Sequence, residues 1–274
     1  MNKKYTEDFL NNCCKLYTEG ASISKIASEY GVDRHILSKH IKEKLNLTTL
    51  KRSYGSKSIY TIDEFFFNFI DTEEKAYWLG FLYADGYLKK DKPVIELSLK
   101  YDDINHIEKF KNSIDSNHKI YIRNIKLKDK EYQSCRICLH NKQLYNSLIK
   151  HGCINNKSKI IKYPDFLTED LERHFIRGFF DGDGNISLES NSVDRVSRVR
   201  FFSGSEDFIK TLSYKLNYLL DTDIGYSWDR TCFSIVYGRK SDKIKLLNYM
   251  YKDCTIYLDR KFNVYKKYAC RFES

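Results

Sequence analysis

Nine residues of this chain are nearly repeated: Trp78-Leu79-Gly80-Phe81-Leu82-Tyr83-Ala84-Asp85-Gly86 and Ile176-Arg177-Gly178-Phe179-Phe180-Asp181-Gly182-Asp183-Gly184. Each reads as the end of a helix. Asp71-Thr72-Glu73-Glu74 supplies a capping-box start for the first copy, and Thr168-Glu169-Asp170 a cap and two acids for the second. Gly86 and Gly184 stand where a helix would stop, which predicts the left-handed conformation that glycine adopts freely. Gly80 and Ala84 fall four apart on one face, as do Gly178 and Gly182, and small residues at that spacing let two backbones approach closely. The two copies are therefore expected to pack on each other. Residues 76–84 are apolar almost all round, so the first helix must be buried.

That pairing leaves two acids in the wrong place. Asp85 and Asp183 put carboxylates at the negative ends of helix dipoles, where a cation belongs, and packing the helices adds repulsion between them. A single such helix reads as a core helix with a polar end; the same violation at both copies points to function. The remedy that fits two hard oxygen ligands best is Mg2+.

The two stretches resemble the paired motifs of the LAGLIDADG homing endonucleases, in the form that carries both motifs in one chain. The resemblance covers about residues 60–270 and implies an α+β fold of two pseudo-symmetric αββαββα halves with the motif helices at their interface. It implies that Asp85 and Asp183, 98 residues apart, bind the catalytic Mg2+, with Mn2+ able to substitute. Motif one departs from the pattern with Trp78 and with Tyr83 at the position where Asp181 stands in motif two. Each half closes with a basic turn, and these segments, Asn156-Lys157-Ser158 and Asp259-Arg260-Lys261-Phe262, look like those whose lysines approach the scissile phosphate in relatives, which carries a catalytic role to Lys157 and Lys261. Lys100 matches a further position near the site; its counterpart in the second half is Ser203 or Gly204.

The chain has 274 residues and a basic balance, 47 Lys and Arg against 37 Asp and Glu, with 15% aromatics. Such a balance suits nucleic acid, though basic proteins of other kinds share it. No apolar run approaches the roughly 20 residues of a membrane helix, and the N-terminus leads into no signal-peptide core. An intracellular protein is expected, in a bacterium, a phage-infected cell or an organelle. Its eight scattered cysteines then read as free thiols. Cys135, Cys138, His140, His151 and Cys153 carry residue types that can ligate zinc, but residues three apart on a strand, as Cys135 and Cys138 are, face opposite ways.

Residues 1–50 read as a small all-α domain, with helices over 6–17, 24–30 and from 34 to 41 or beyond. The run from Ile26 through Val32 to Ile41 resembles the helix-turn-helix of DNA-binding regulators, which implies that Arg34, His35, Ser38, Lys39 and Lys42 face DNA. Residues 1–57 hold 11 Lys and Arg against 6 Asp and Glu, half the surplus of the whole chain, which favours DNA over a plain packing module. Residues 51–59 read as a basic linker in which Lys51 and Arg52 track a phosphate backbone.

Two halves, 60–166 and 167–274, follow. Strand-like alternation appears over 93–101, 118–128 and 134–140, then over 185–190, 196–203, 225–229 and 231–237, with helical text over 104–114, 141–150, 206–220 and 242–251. Ile95, Leu97 and Leu99 oppose Glu96, Ser98 and Lys100; Val199 and Phe201 oppose Arg198, Arg200 and Phe202. A sheet with one apolar and one basic face can read a DNA groove, which makes Arg123, Arg136, Arg198 and Arg200 DNA-contact candidates.

Other patterns fail. Asp181-Gly182-Asp183-Gly184-Asn185 lacks the glycine and glutamate of a calcium loop, since Ile186 and Ser192 occupy those places. There is no P-loop and no nucleophile elbow. The first residue, Met1, and the end at Ser274 lack the Cys or Ser and the His-Asn of an intein, so a freestanding protein is expected. The expected function is site-specific, Mg2+-dependent cleavage of double-stranded DNA by a monomer, with no membrane partner. The alternatives are a transcription regulator of the same fold, or a maturase acting on intron RNA.

Overall fold

The computed structural model describes residues 5–19, 21, 23–45, 60–127, 130–190, 192 and 195–270. The expected basic linker, Lys51 and Arg52 with it, lies outside these. The chain divides into two compact units, residues 1–59 and 60–274.

The first unit holds three helices, α1 (Glu7–Thr18), α2 (Ile23–Tyr30) and α3 (Arg34–Lys44). Gly31 turns the chain at φ +63°, and Asp33 caps α3 by accepting from the amides of His35 and Ile36 at 2.9 and 3.1 Å. Cys13, Cys14, Ile26, Val32, Leu37 and Ile41 form the interior, one stripe from each helix plus the turn.

In the second unit, α4 (Glu73–Ala84) is capped by Thr72, which accepts from Lys75 N at 3.3 Å. Every residue from Lys75 to Tyr83 is buried, as an all-round apolar helix requires. Its partner is α7 (Glu169–Asp183). The two cross at their glycines. A Cβ on Gly80 would stand 2.0 Å from the Phe175 carbonyl oxygen, and one on Gly178 would stand 2.0 Å from that of Tyr77. Phe175 and Tyr77 are themselves equivalent positions of the two motifs, so the contact is reciprocal.

Each helix feeds a four-stranded antiparallel sheet. In the first half, β1 (Gly86–Leu88), β2 (Val94–Lys100), β3 (Ile120–Leu127) and β4 (Lys130–His140) lie in the order β1-β2-β4-β3. In the second, β5 (Asn185–Leu188), β6 (Val196–Ser203), β7 (Tyr226–Asp229) and β8 (Cys232–Tyr237) repeat that order as β5-β6-β8-β7. Helices α5 (Ile104–Ser113) and α6 (Lys142–Lys150), then α8 (Glu206–Leu220) and α9 (Lys240–Tyr251), follow the strand pairs. The fold is thus α+β, with αββαββα twice. Ile95, Leu97, Ile137 and Leu139 bury one face of the first sheet, as do Val199, Phe201, Ile235 and Tyr237 in the second, in one continuous core with the motif helices.

Three expectations change. Gly86 and Gly184 are not left-handed: Gly184 has φ −81°, ψ 165°, and Gly86 opens strand β1. They are glycines for want of room, since a Cβ on either would lie 2.5 Å from the carbonyl of Leu82 or Phe180, one turn earlier. Strand β1 lies outside the expected strands, since three residues are too few to show alternation. The closing segment of the second half is not a turn but a further helix, α10 (Asp259–Ala269), whose face of Lys261, Tyr265 and Tyr268 is buried.

Candidate active site

Asp85 is the C-cap of α4 and Asp183 the last residue of α7, so the crossing at the glycines delivers both acids to one place. The Asp85 carboxylate lies beside Gly182, with Oδ2 3.3 Å from where a Cβ would be, while Ala84 packs on the same glycine. Burial pushes the Asp85 carboxyl above its usual value, against the pull of Lys261, Lys157 and Arg260. Asp183 sits at the solvent edge, yet it is pushed up to about 6, first by the surrounding protein and then by the like charge of Asp85. The two acids repel each other.

Two lysines answer them. Lys157 begins a short 3-10 turn (Lys157–Lys159), entered through Asn156 at φ +53°, and donates to the carbonyl of Gly86. Lys261, in the first turn of α10, donates to the carbonyls of Gly184 at 2.5 Å, Phe180 at 2.5 Å and Asp181 at 3.0 Å. Each ammonium thus caps the end of a motif helix and supplies the cation that the dipole favours. They differ in burial. Lys157 is half-buried, whereas Lys261 is 3% exposed and burial brings its pKa down to about 8, so it remains protonated at neutral pH.

The mismatch between Tyr83 and Asp181 has a physical reason. Asp181 is buried and accepts from Tyr77 Oη at 2.8 Å, Tyr251 Oη at 2.5 Å and the amide of Leu258 at 2.8 Å. Leu258 is the N-cap of α10, so Asp181 fixes the start of the helix that carries Lys261. The Tyr77 hydroxyl gives its one proton to Asp181, so His106 Nε2, 3.0 Å away, must donate to it. Tyr83 instead donates to the carbonyl of His151 at 2.5 Å, over Gly152, whose φ of +86° leaves no Cβ in the way. Trp78, the other departure in motif one, is tied by Nε1 to Ser113 Oγ at 2.7 Å.

The structure therefore brings Asp85, Asp183, Lys157 and Lys261 together. Lys100 ends β2 as an exposed residue in register with Ser134. Sequence reasoning missed Arg260, whose charge acts on Asp85 and whose Nε donates to Asp103 Oδ2 at 3.0 Å. Its place beside Lys261 was the available signal, hidden because a turn rather than a helix was expected there. Arg123 and Arg136 share the outer face of the first sheet, where Arg136 pairs with Glu96 at 3.1 Å. Arg198 and Arg200 share that of the second, and Arg200 donates to Asn185 Oδ1 at 3.2 Å and Ser187 Oγ at 3.3 Å. In the first unit His35 and Lys39 are exposed, and Arg34, Ser38 and Lys42 half-buried.

The model of the LAGLIDADG-like domain matches residues 170–224, from the first turn of α7 to the loop between α8 and β7. That segment is similar to a LAGLIDADG-like domain. Among solved structures, the homing endonuclease I-WcaI bound to its DNA recognition sequence is similar over 81% of this chain and 97% of its own, at 16% identity and a TM-score of 0.55. I-DmoI in complex with DNA and Ca covers 71% of this chain and 97% of its own, at 17% identity and a TM-score of 0.47. The N-terminal LAGLIDADG domain of DUF199/WhiA covers 79% and 98%, at 15% identity and a TM-score of 0.46. No curated protein sequence matches the chain. The architecture is the LAGLIDADG fold, and among the described residues no helix is long and apolar enough to cross a membrane.

Proposed function

We propose that the chain is a site-specific DNA endonuclease that cuts both strands with the help of a divalent cation. The observation that carries this reading is the meeting of Asp85 and Asp183 at the paired helix ends, each raised in pKa and each beside a lysine. A protein under no functional demand gains by replacing two repelling acids there with neutral residues.

The residues fit Mg2+. Among the described residues no third His, Cys, Asp or Glu completes a protein cage, and Mg2+ is commonly held by one or two carboxylates with water and phosphate oxygens filling the rest. When bound, such an ion offsets phosphate charge and lowers the pKa of water. The chain's own contribution is placement. Asp85 and Asp183 would hold the ion as ionised ligands, and Lys157, half-exposed, would present a positive charge to a phosphate. Asp181 and Lys261 lock α10 against the end of α7. The outer faces of the two sheets, with Arg123, Arg136, Arg198 and Arg200, take the duplex, and α3 of the first unit offers His35 and Lys39 to a further stretch of it.

One observation favours a second reading, a DNA-binding regulator of the same fold. Lys261 is saturated by three carbonyls, so its position is accounted for by helix capping without any phosphate. Incubating the protein and Mg2+ with a randomised duplex library and sequencing the new ends separates the two. Paired cuts at a recurrent sequence support the nuclease. A sequence enriched by binding but left intact in Mg2+ and in Mn2+ supports the regulator.

A further inference from the structure

Tyr214 and Tyr218 on α8 are 74% and 80% exposed, more than any other aromatic side chain among the described residues. They stand one turn apart, across the helix from Leu212 and Leu216, which bury α8 against the core. That core covers one face of the second sheet, and Arg198 and Arg200 hold the other. The two tyrosines therefore point to the side of this half that lies opposite its basic face.

Beside them, between α8 and the start of α7, an open cavity of about 300 Å³ has Leu167, Glu169, Glu172, Tyr214, Lys215 and Tyr218 in its lining. One of its acids is already matched. Glu172 is buried, accepts from Tyr163 Oη at 3.0 Å and pairs with Lys215 Nζ at 2.7 Å, and that ammonium lies 5.6 Å from the centre of the Tyr163 ring. Carboxylate, cation and tyrosine ring form a complete set. Glu169, Tyr214 and Tyr218 supply the carboxylate and the rings of a second set, but Glu169 is exposed and pairs with no Lys or Arg among the described residues. The wall it belongs to is acidic: residues 163–172 hold four Asp and Glu and no Lys or Arg, in a chain where Lys and Arg prevail 47 to 37. Such a wall repels phosphate and attracts a cation.

We propose that this cavity seats an arginine side chain from a basic segment of a partner protein, docked on the helical side of the chain and clear of the sheet faces given to DNA. A guanidinium stacks on aromatic rings and pairs with a carboxylate through two parallel hydrogen bonds, and Glu169 beside two tyrosines offers both contacts. A protein suits the surface better than a free small cation. Small-molecule sites enclose most of their ligand, whereas these tyrosines stand far out of the surface, and Phe166, 44% exposed next to Leu167, carries apolar area beyond the cavity. Tyrosines around a seated arginine are the composition of a protein–protein contact. Such docking stands whether or not the chain cuts DNA.

The test selects random short peptides, displayed on phage, against the immobilised full chain; the enriched peptides are then synthesised with a fluorophore and titrated by anisotropy. They should share an arginine. Their Kd should rise about tenfold or more with Tyr214→Ser/Tyr218→Ser, with Glu169→Lys, and when the peptide's arginine becomes glutamine. Tyr214, Tyr218 and Glu169 are all exposed, so the melting temperature should hold in both protein variants. Enriched peptides without an arginine, affinities indifferent to both variants, or no enrichment at all overturn the proposal. So does a wild-type dimer in sedimentation that Tyr214→Ser/Tyr218→Ser dissolves, since a second copy of the chain then covers this surface.

Discussion

Gly178 faces Tyr77 so closely that a methyl group on the glycine would stand 2.0 Å from the tyrosine's carbonyl oxygen. A methyl group on Gly80 would stand at the same distance from the carbonyl oxygen of Phe175, so the site's geometry depends on two glycines pressed against two backbones. Backbone cannot swing aside as a long side chain can. Gly178→Ala and Gly80→Ala should each destabilise the second unit by about 3 kcal/mol or more, at or beyond the upper range for overpacking. Urea denaturation checks this. A loss under about 1 kcal/mol would mean the helices separate easily, and with them the two aspartates.

This crossing was legible in the sequence because it rests on spacing: small residues four apart, twice, fix which faces meet. The strands were legible for the same reason, since Leu97 and Val199 alternate with polar neighbours over long enough runs to show a period. What was not legible depends on contacts far along the chain. Asp181 gave no sign of its bonds to Tyr251 and to the amide of Leu258, 70 and 77 residues later. Helix α10 was hidden by a sequence rich in lysine and tyrosine, whose buried face, Lys261, Tyr265 and Tyr268, is only partly apolar. Gly86 and Gly184 were read as left-handed because glycine after a helix usually is; here the demand is for space against a carbonyl.

Replacing either site acid by its amide should separate chemistry from folding. Asp85→Asn and Asp183→Asn keep side-chain volume and remove a charge that burial and the other acid already oppose. Double-strand cleavage should fall by more than about 100-fold, beyond what loss of a group supporting a metal ligand costs. The melting temperature should hold or rise. Either variant cutting both strands at the wild-type rate removes these residues from the metal site.

The two lysines should behave differently in stability. Lys261→Met leaves the carbonyls of Phe180, Asp181 and Gly184 without their shared donor in a buried setting, and should cost about 2–4 kcal/mol. Lys157→Met removes one bond from a half-buried side chain, to Gly86, and should cost about 1 kcal/mol. Denaturation curves of the two variants give the comparison, and equal losses would show that the three carbonyls find other partners.

Removing residues 1–59 tests the reading of the first unit. The unit has its own interior, so its loss should leave the melting transition of residues 60–274 intact. Affinity for the selected duplex should drop and the footprint should shorten at one end, with cleavage retained at high protein concentration. An unchanged footprint would leave α1–α3 as a packing module with a solvated basic face.

Acid sensitivity should come in part from histidines held neutral. Burial brings His174 down to about 4, helped by the adjacent Arg177, whose Nη1 lies 3.0 Å from His174 Nδ1. Burial likewise brings His106 down to about 3, with Lys109 the next cause. A folded-state pKa below the unfolded value means that, under about pH 6.5, the unfolded chain takes up a proton that the folded chain refuses. Each histidine's contribution is therefore fully present above that pH and is lost progressively down to about pH 4 for His174 and about pH 3 for His106. The raised carboxyls of Asp85, Asp181 and Asp183 act in the opposite sense, since they bind protons more readily when folded. His174→Gln isolates one histidine, because glutamine can still accept from Arg177 and has no titration, while the aspartates are common to both proteins and cancel in the difference. Between pH 6.5 and 4 the wild type should lose up to about 3 kcal/mol more than His174→Gln, at roughly 1.4 kcal/mol per pH unit. Parallel pH–stability curves for the two proteins would show that His174 titrates normally, and that its ring is not held neutral against Arg177.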